Sequence, residues 1–301
     1  MRESHDDMFD YIEPVFRPPS EAASLILQVT NGCSWNRCTF CEMYTQPQKR
    51  FKPKSIEVIR EELQQFVSMG IPTRRVFLAD GDAMTLSYRR LYEIMQAINE
   101  YLPEIQRVSA YCLPRNIIKK SVDELQALGQ MGLQLLYIGC ETGDDLVLER
   151  VNKGETWQSS LDALLKLQQA GIKRSVMILN GLGGVRYSEQ HALNSASLMN
   201  ESQPEYLATL VVSFPMGQQR LKQGYGGEFE ALNLPQLLRE EEMLLSALEL
   251  EKTIFRSDHA SNYLVLKGVL NKDKEKLLHQ LRSALTTPES TRFRAEWQRG
   301  L

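Results

Sequence analysis

The sequence predicts an α/β chain: a partial (β/α)6 barrel of the TIM type with a helical C-terminal extension. Short apolar runs alternate with amphipathic stretches six times between residues 24 and 215, the pattern of parallel strands joined by helical crossovers. The apolar runs are mostly unbroken, as expected of strands covered on both faces. Three closely spaced cysteines directly follow the first run, and the carboxyl ends of strands are where parallel α/β folds bind ligands.

The first strand is Leu25 to Val29, ending at Thr30-Asn31-Gly32. A helix from about Ser55 follows, with Ile56, Ile59, Leu63 and Phe66 on one face and Gly70 and Pro72 as its stop. Val76 to Leu78 is the second strand, and the next helix carries Leu91, Ile94, Met95 and Ile98 and closes at Pro103. After a third strand from Val108 to Cys112, Ser121 and Glu124 form a capping box for a helix that Gly132 ends. The fourth strand, Leu133 to Cys140, leads to helices at Leu146 to Val151 and Trp157 to Ala170. Ser175 to Leu179 is the fifth strand, Glu189 to Asn200 its helix, and Tyr206 to Val212 the sixth strand.

Beyond Phe214 the alternation stops. Pro215 to Gly227 reads as a glycine-rich loop, and a helix from Pro235 to Leu250 places its proline where a first turn tolerates one. Ser261 to Leu270 is a further apolar stretch, followed by a helix from Lys272 to Leu285. The expected organisation is a lead-in over 1–23, a barrel over 24–215 and an extension over 216–301 packed on it.

Composition bounds the function. With 301 residues, 43% hydrophobic and 24% charged, the chain is long enough and apolar enough to build a sizeable core. A net charge of −3 and a pI near 5.9 lack the basic excess of a protein that coats nucleic acid. The acidic opening MRESHDDMFD is no secretory signal, and no run approaches the roughly 18–20 apolar residues of a membrane span. A cytoplasmic location, where thiols stay reduced, is the expectation.

Three of the five cysteines fall within nine positions, Cys33-Ser-Trp-Asn-Arg-Cys38-Thr-Phe-Cys41. This C-x4-C-x2-C clustering argues for metal ligation over a disulfide framework. Three thiolates on one loop can take three irons of a cubane and leave the fourth open to a small molecule. Two rivals share the thiols. A structural zinc site needs a fourth ligand, which Cys112 or Cys140 would supply. A plant-type 2Fe–2S cluster has this spacing with a distant fourth cysteine, although the strand–helix context does not suit it. Three unrelated buried thiols is the remaining reading.

The stretch resembles the cluster loop of the radical S-adenosylmethionine superfamily, with an aromatic residue, Phe40, just before the third cysteine. The superfamily's usual spacing is C-x3-C-x2-C, so this loop is one residue longer. Asp80-Gly81-Asp82 takes the place of the family's Gly-Gly-Glu element, with Asp in place of Glu and the first glycine replaced; a D-G pair is also an ordinary turn. Ile138-Gly-Cys-Glu141-Thr-Gly143, followed by Asn152-Lys153-Gly154, looks like the IGLESG…NKG signature of the methylthiotransferase and cobalamin-associated branches. Asn180-Gly-Leu-Gly183-Gly184 matches the family's glycine element, where backbone approaches adenine closely. The resemblance covers residues 24–215.

The resemblance implies a 4Fe–4S cluster on Cys33, Cys38 and Cys41, and S-adenosylmethionine contacts from Phe40, Asp82, Glu141, Gly183 and Gly184. Asp82 would meet the methionine amino group, and Glu141 the ribose or that amino group. Reductive cleavage would give a 5′-deoxyadenosyl radical that abstracts hydrogen from substrate, with a flavodoxin or ferredoxin as electron donor. Cys112 and Cys140, too few for a second three-cysteine cluster, read as inert core thiols, which argues against methylthiolation. About two dozen residues before the first strand leave no room for a preceding cobalamin domain. The acidic pI favours a small-molecule substrate. Arg150 and Lys153 read as solvated surface charges, Trp35 as a shield for the cluster, and His259 and Asn262 as a turn before a strand, the alternative being that they reach the substrate from the extension. The different-class alternative is a non-catalytic iron–sulfur electron carrier or zinc-stabilised binding protein.

Overall fold

The computed structural model describes residue 9 and residues 11–299. Most of the acidic opening therefore lies outside the described residues. The strands are β1 (Leu25–Gln28), β2 (Thr30–Asn31), β3 (Lys52–Pro53), β4 (Arg75–Ala79), β5 (Arg107–Cys112), β6 (Leu133–Glu141), β7 (Lys173–Asn180), β8 (Tyr206–Val211), β9 (Thr253–Ser257) and β10 (Leu266–Leu270). The helices are α1 (Ile56–Ser68), α2 (Tyr88–Tyr101), α3 (Pro114–Ile118), α4 (Val122–Gln130), α5 (Asp145–Arg150), α6 (Trp157–Gln169), α7 (Gly184–Ser202), α8 (Gln219–Gly224), α9 (Leu234–Ala247) and α10 (Lys274–Thr286). Eight strands form a mostly parallel sheet in the order β1-β4-β5-β6-β7-β8-β9-β10. The chain is α/β, and the sixfold strand–helix alternation expected of a partial (β/α)6 barrel is present.

The chain divides into two compact units. The first comprises Met1–Asn36, Cys41–Ile138 and Lys166–Lys173. In it β1, β4 and β5 pair in parallel, Leu27 opposite Leu78 and Leu78 opposite Ala110, and β5 continues onto β6 with Cys112 opposite Ile138. Side chains on both faces of β4 are buried, and Ile59 and Leu63 of α1, Val76 and Phe77 of β4, and Leu91 and Ile94 of α2 are fully enclosed. Local capping sets the helix starts. Ser55 and Ser87 accept from Val58 and Arg90, and Ser121 and Glu124 exchange both bonds of the expected capping box.

The second unit comprises Arg37–Phe40, Gly139–Leu165 and Arg174–Leu301. Strands β7, β8 and β9 run parallel, and β10 returns antiparallel to β9. The extension is thus not helical throughout: β9 and β10 continue the sheet and α10 follows them. Strand β9 has only five residues, with Lys252 before it and Arg256 within it, so no clean apolar run announced it. Helix α8 occupies part of the predicted loop over 215–227, and α7 begins at Gly184, five positions before the predicted start, behind a glycine run that reads as loop. Asn233 and Gln236 cap α9, with Pro235 in its first turn.

Candidate functional site

In the first unit the chain leaves β1 through Gly32, whose φ of +69° and the Lys49 carbonyl, 2.0 Å from where a Cβ would stand, admit only glycine. The loop after β4 grips this segment. The Asp80 carboxylate accepts from the Gly32 amide (3.1 Å), Gly81 donates to the Gly32 carbonyl (3.1 Å), and Asp82 accepts from the Ser34 amide (2.7 Å) and hydroxyl (2.5 Å). A Cβ on Gly81 would stand 2.9 Å from the Cys33 Cβ and 2.7 Å from the Tyr44 ring, so the two loops pack only around a glycine.

Asp82 is fully buried, and Asn116 donates to it as well (3.2 Å), so its carboxylate fixes the residue after Cys33. Burial pushes that carboxyl up, while the bonds from Ser34, Asn116 and Cys33 pull it down. The Cys33 thiol is pushed up to about 12, first by burial and then by the charge of Asp82. Asp80 forms a fully enclosed ion pair with Lys49, whose ammonium also donates to the Ile12 carbonyl (2.7 Å). The Arg115 guanidinium stacks 3.8 Å over the Trp35 ring.

In the second unit the short segment around Cys38 is held by backbone. Thr39 donates to the Val151 carbonyl (2.9 Å), Asn152 to that of Arg37 (3.2 Å) and Arg220 to that of Cys38 (3.2 Å). Phe40 packs on a buried cluster of Val147, Val151, Leu182, Leu221 and Tyr225. Glu141 ends β6 at φ +68°, a left-handed conformation that costs a non-glycine residue about 1–2 kcal/mol. Its carboxylate turns back over Gly139, where a Cβ would stand 2.2 Å away, and meets the Lys153 ammonium at 3.1 Å. Lys153 is therefore no surface charge. It is 3% exposed, and although burial opposes its charge, Glu141 and Cys38 together hold the ammonium above the usual lysine range. Arg150, by contrast, is only half-buried.

The glycine element follows β7. Gly183 and Gly184 line a cavity of about 250 Å³ with Arg150, Tyr187, Tyr225 and Phe229. The spaces their missing Cβ atoms leave are already filled, at Gly183 by the Tyr187 carbonyl (2.9 Å) and at Gly184 by the Glu230 carbonyl (2.8 Å) and Phe229 ring (2.9 Å). Cys112 and Cys140 are buried as expected, and burial pushes the Cys140 thiol up to about 12. Asn262 is structural: it caps the edge of β8 through the Val211 amide (2.8 Å) and Thr209 carbonyl (2.8 Å). His259 turns its Nδ1 onto Ser261 (2.8 Å).

No disulfide joins the described cysteines. Among the described residues no three His, Cys, Asp or Glu side chains converge on a single metal ion. With the Gly32 amide and the Ser34 amide and hydroxyl committed to Asp80 and Asp82, the cysteines are the soft donors this loop offers. The donor set fits an iron–sulfur cluster.

Residues 27–196 match the model of the Radical SAM superfamily. The chain belongs to that superfamily. A methylthiotransferase by name from Methanocaldococcus jannaschii is 21% identical over 157 residues, 50% of this chain and 34% of that protein. The matched stretch is thus about a third of that relative's length. Among solved structures, coproporphyrinogen III oxidase of Escherichia coli, a radical SAM enzyme, has a TM-score of 0.53 at 14% identity, covering 74% of this chain and 52% of its own. The radical S-adenosylmethionine methyltransferase TsrM of Kitasatospora setae, solved with cobalamin and a [4Fe–4S] cluster, has a TM-score of 0.51 at 17% identity, covering 62% and 36%. Superfamily membership implies 4Fe–4S and S-adenosylmethionine chemistry. Among the described residues no helix is long and apolar enough to cross a membrane.

Proposed function

We propose that Cys33, Cys38 and Cys41 hold one 4Fe–4S cluster, and that the chain turns over a small molecule by hydrogen abstraction. The observation that carries this is the cysteine loop at the carboxyl end of β1, secured at Gly32 and Ser34 by Asp80 and Asp82. When bound, the cluster and S-adenosylmethionine supply a 5′-deoxyadenosyl radical. The chain's own residues bind and orient. Phe40, Gly183 and Gly184 give apolar and backbone surface to the cofactor. Glu141, held by Lys153 in a backbone conformation that has to be enforced, offers a fixed acceptor to a ribose hydroxyl or the amino group; such strain persists where the surroundings over-determine it. Asp82 faces the methionine amino group while its bonds to Ser34 and Asn116 fix its direction. A flavodoxin- or ferredoxin-type protein supplies the electron. Cys112 and Cys140, both buried, do not make a second three-cysteine set, which separates this chain from methylthiolation.

The test is anaerobic reconstitution followed by iron and sulfide analysis and a cleavage assay with S-adenosylmethionine. Four irons and four sulfides per chain are expected, lost in Cys33→Ala, Cys38→Ala and Cys41→Ala and kept in Cys112→Ala and Cys140→Ala. Stoichiometric zinc without sulfide, a 2Fe–2S spectrum, or loss of metal in either of the last two variants overturns the proposal.

A further inference from the structure

Behind the glycine element lies a buried polar cluster that the proposed chemistry does not use. Helix α9 places two adjacent glutamates, Glu240 and Glu241, at 2% and 4% exposure. Burial pushes their carboxyls up to about 8 and about 7, against the bonds they receive. Two such groups enclosed side by side need a reason, since burying a carboxyl is costly unless its hydrogen bonds are made.

Three of their four hydrogen bonds run to residues flanking one loop. Glu240 Oε1 accepts from the Gly181 amide at 2.6 Å, the first residue after β7, where φ is +89°. Its Oε2 accepts from the Ser188 hydroxyl (2.5 Å) in the first turns of α7. Glu241 accepts from the Asn180 side chain (3.0 Å), the last residue of β7, and from Thr209 (2.7 Å) on β8. His191 stands 3.6 Å from Glu240, its other nitrogen on Thr142 at 2.7 Å, and burial pushes its imidazole down to about 4, so it is neutral. The strand end at Asn180–Gly181 and the early part of α7 at Ser188 are therefore both tied to α9.

We propose that Glu240 and Glu241 are positioning residues by which the C-terminal extension sets the shape of the Asn180–Gly184 loop for S-adenosylmethionine; this rests on the reading that the loop takes that cofactor. The Gly181 amide is the critical bond. Gly181 lies one residue beyond the β7–β8 ladder, and its N–H is received by the Glu240 side chain instead. Removing that acceptor leaves an enclosed N–H unpaired and lets the turn relax to another shape.

The test uses reconstituted full-length chain. In Glu240→Met, binding of S-adenosylmethionine by equilibrium dialysis should weaken about ten- to a hundredfold, with iron and sulfide unchanged. The KM for S-adenosylmethionine in reductive cleavage should rise with kcat unchanged. Glu240→Gln, whose amide carbonyl still accepts from Gly181 and whose NH2 reaches Ser188, should bind like the parent, and it also serves if the Met variant does not fold. Hydrogen exchange at 181–184 should quicken in Glu240→Met and slow on cofactor binding in the parent. Parental exchange at 181–184 that ignores the bound cofactor overturns the loop reading and the inference with it. Parental protection together with unchanged affinity and KM in Glu240→Met, or a Gln variant as weak as the Met variant, overturns the inference alone.

Discussion

Replacing Lys49 by methionine removes the ammonium paired with Asp80 and keeps most of the side-chain volume. Both partners are 0% exposed, and Asp80 Oδ2 already carries the Gly32 amide at 3.1 Å and the Gln28 amide at 3.2 Å. Burial pushes the Asp80 carboxyl up; Lys49, through its hydrogen bond and its charge, pulls it back. Breaking an enclosed pair from one side costs about 3–5 kcal/mol, because the remaining charge is left without water or partner. An exposed pair such as Arg89–Glu93, 89% and 35% exposed, contributes about 0–1 kcal/mol. The variant escapes part of the cost by protonating Asp80. That folded-state pKa then lies above the unfolded one, so the variant is relatively best at low pH and loses roughly 1.4 kcal/mol per pH unit as pH rises towards it. The assay is thermal melting of parent, Lys49→Met, Asp80→Asn and the double variant from pH 5 to 8, beside iron loading. The single Lys49→Met should melt roughly 6–20 °C below the parent at pH 7, and the double variant should lose less than the two singles together. Iron loading should fall too, since Asp80 also holds the residue before Cys33. A Lys49→Met melt within 2 °C of the parent, or strict additivity, refutes the reasoning.

Two further predictions use the same measurement. Lys153→Met strands the Glu141 carboxylate and should cost on the order of 3 kcal/mol, partly recovered by adding Glu141→Gln; equal melting temperatures for parent and Lys153→Met would return Lys153 to the surface. For Glu240 and Glu241, pushed up from 4.5 to about 8 and about 7, the stabilising protonation is fully present below 4.5 and lost as pH rises through the folded values. His191, pushed down from 6.5 to about 4, slopes the other way between those values. The net fall should therefore be steepest between about pH 6.5 and 7, at most about 1.4 kcal/mol per unit for each of the two carboxyls, continue at about half that slope to pH 8 on Glu240 alone, and be absent from pH 6.5 to 8 in Glu240→Gln/Glu241→Gln.

What the sequence made legible was local. The Ser121–Glu124 capping box joins residues three apart, the Asn233–Gln236 box likewise, and each strand–helix alternation needs only a window of about a dozen residues. The cysteine loop was legible for the same reason. What stayed hidden depends on distant partners. Lys153 reads as a surface lysine until Glu141, twelve residues earlier in sequence, turns back at φ +68° to meet it. Lys49 and Asp80 are 31 apart, Gly181 and Glu240 59 apart. No periodicity marks such pairs, and Glu240-Glu241-Glu242 looks like an ordinary solvated helix face. Asp82 was picked out as a cofactor contact; its bonds to Ser34 and Asn116, 48 and 34 positions away, are invisible to spacing.

The hidden residues share one chemistry. In the first unit, Asp80 and Asp82 fix Gly32 and Ser34 on either side of Cys33; in the second, Glu240 and Glu241 fix Gly181 and Asn180 beside the glycine element. Each loop leaves a strand end, where the sheet ladder no longer satisfies the backbone, and each receives a buried carboxylate instead. A carboxylate suits this position because it accepts several donors at once. It can therefore tie a loop amide and a neighbouring element together, as Glu240 ties Gly181 to Ser188. Alanine would leave those amides unpaired, whereas an amide side chain would keep one acceptor. The carboxylates thus divide by what answers their charge. Asp80 and Glu141 have lysines, and their variants should fail through unpaired charge. Among the described residues Glu240 and Glu241 face each other, neutral donors and a neutral imidazole, so the glutamine substitutions should be tolerated there.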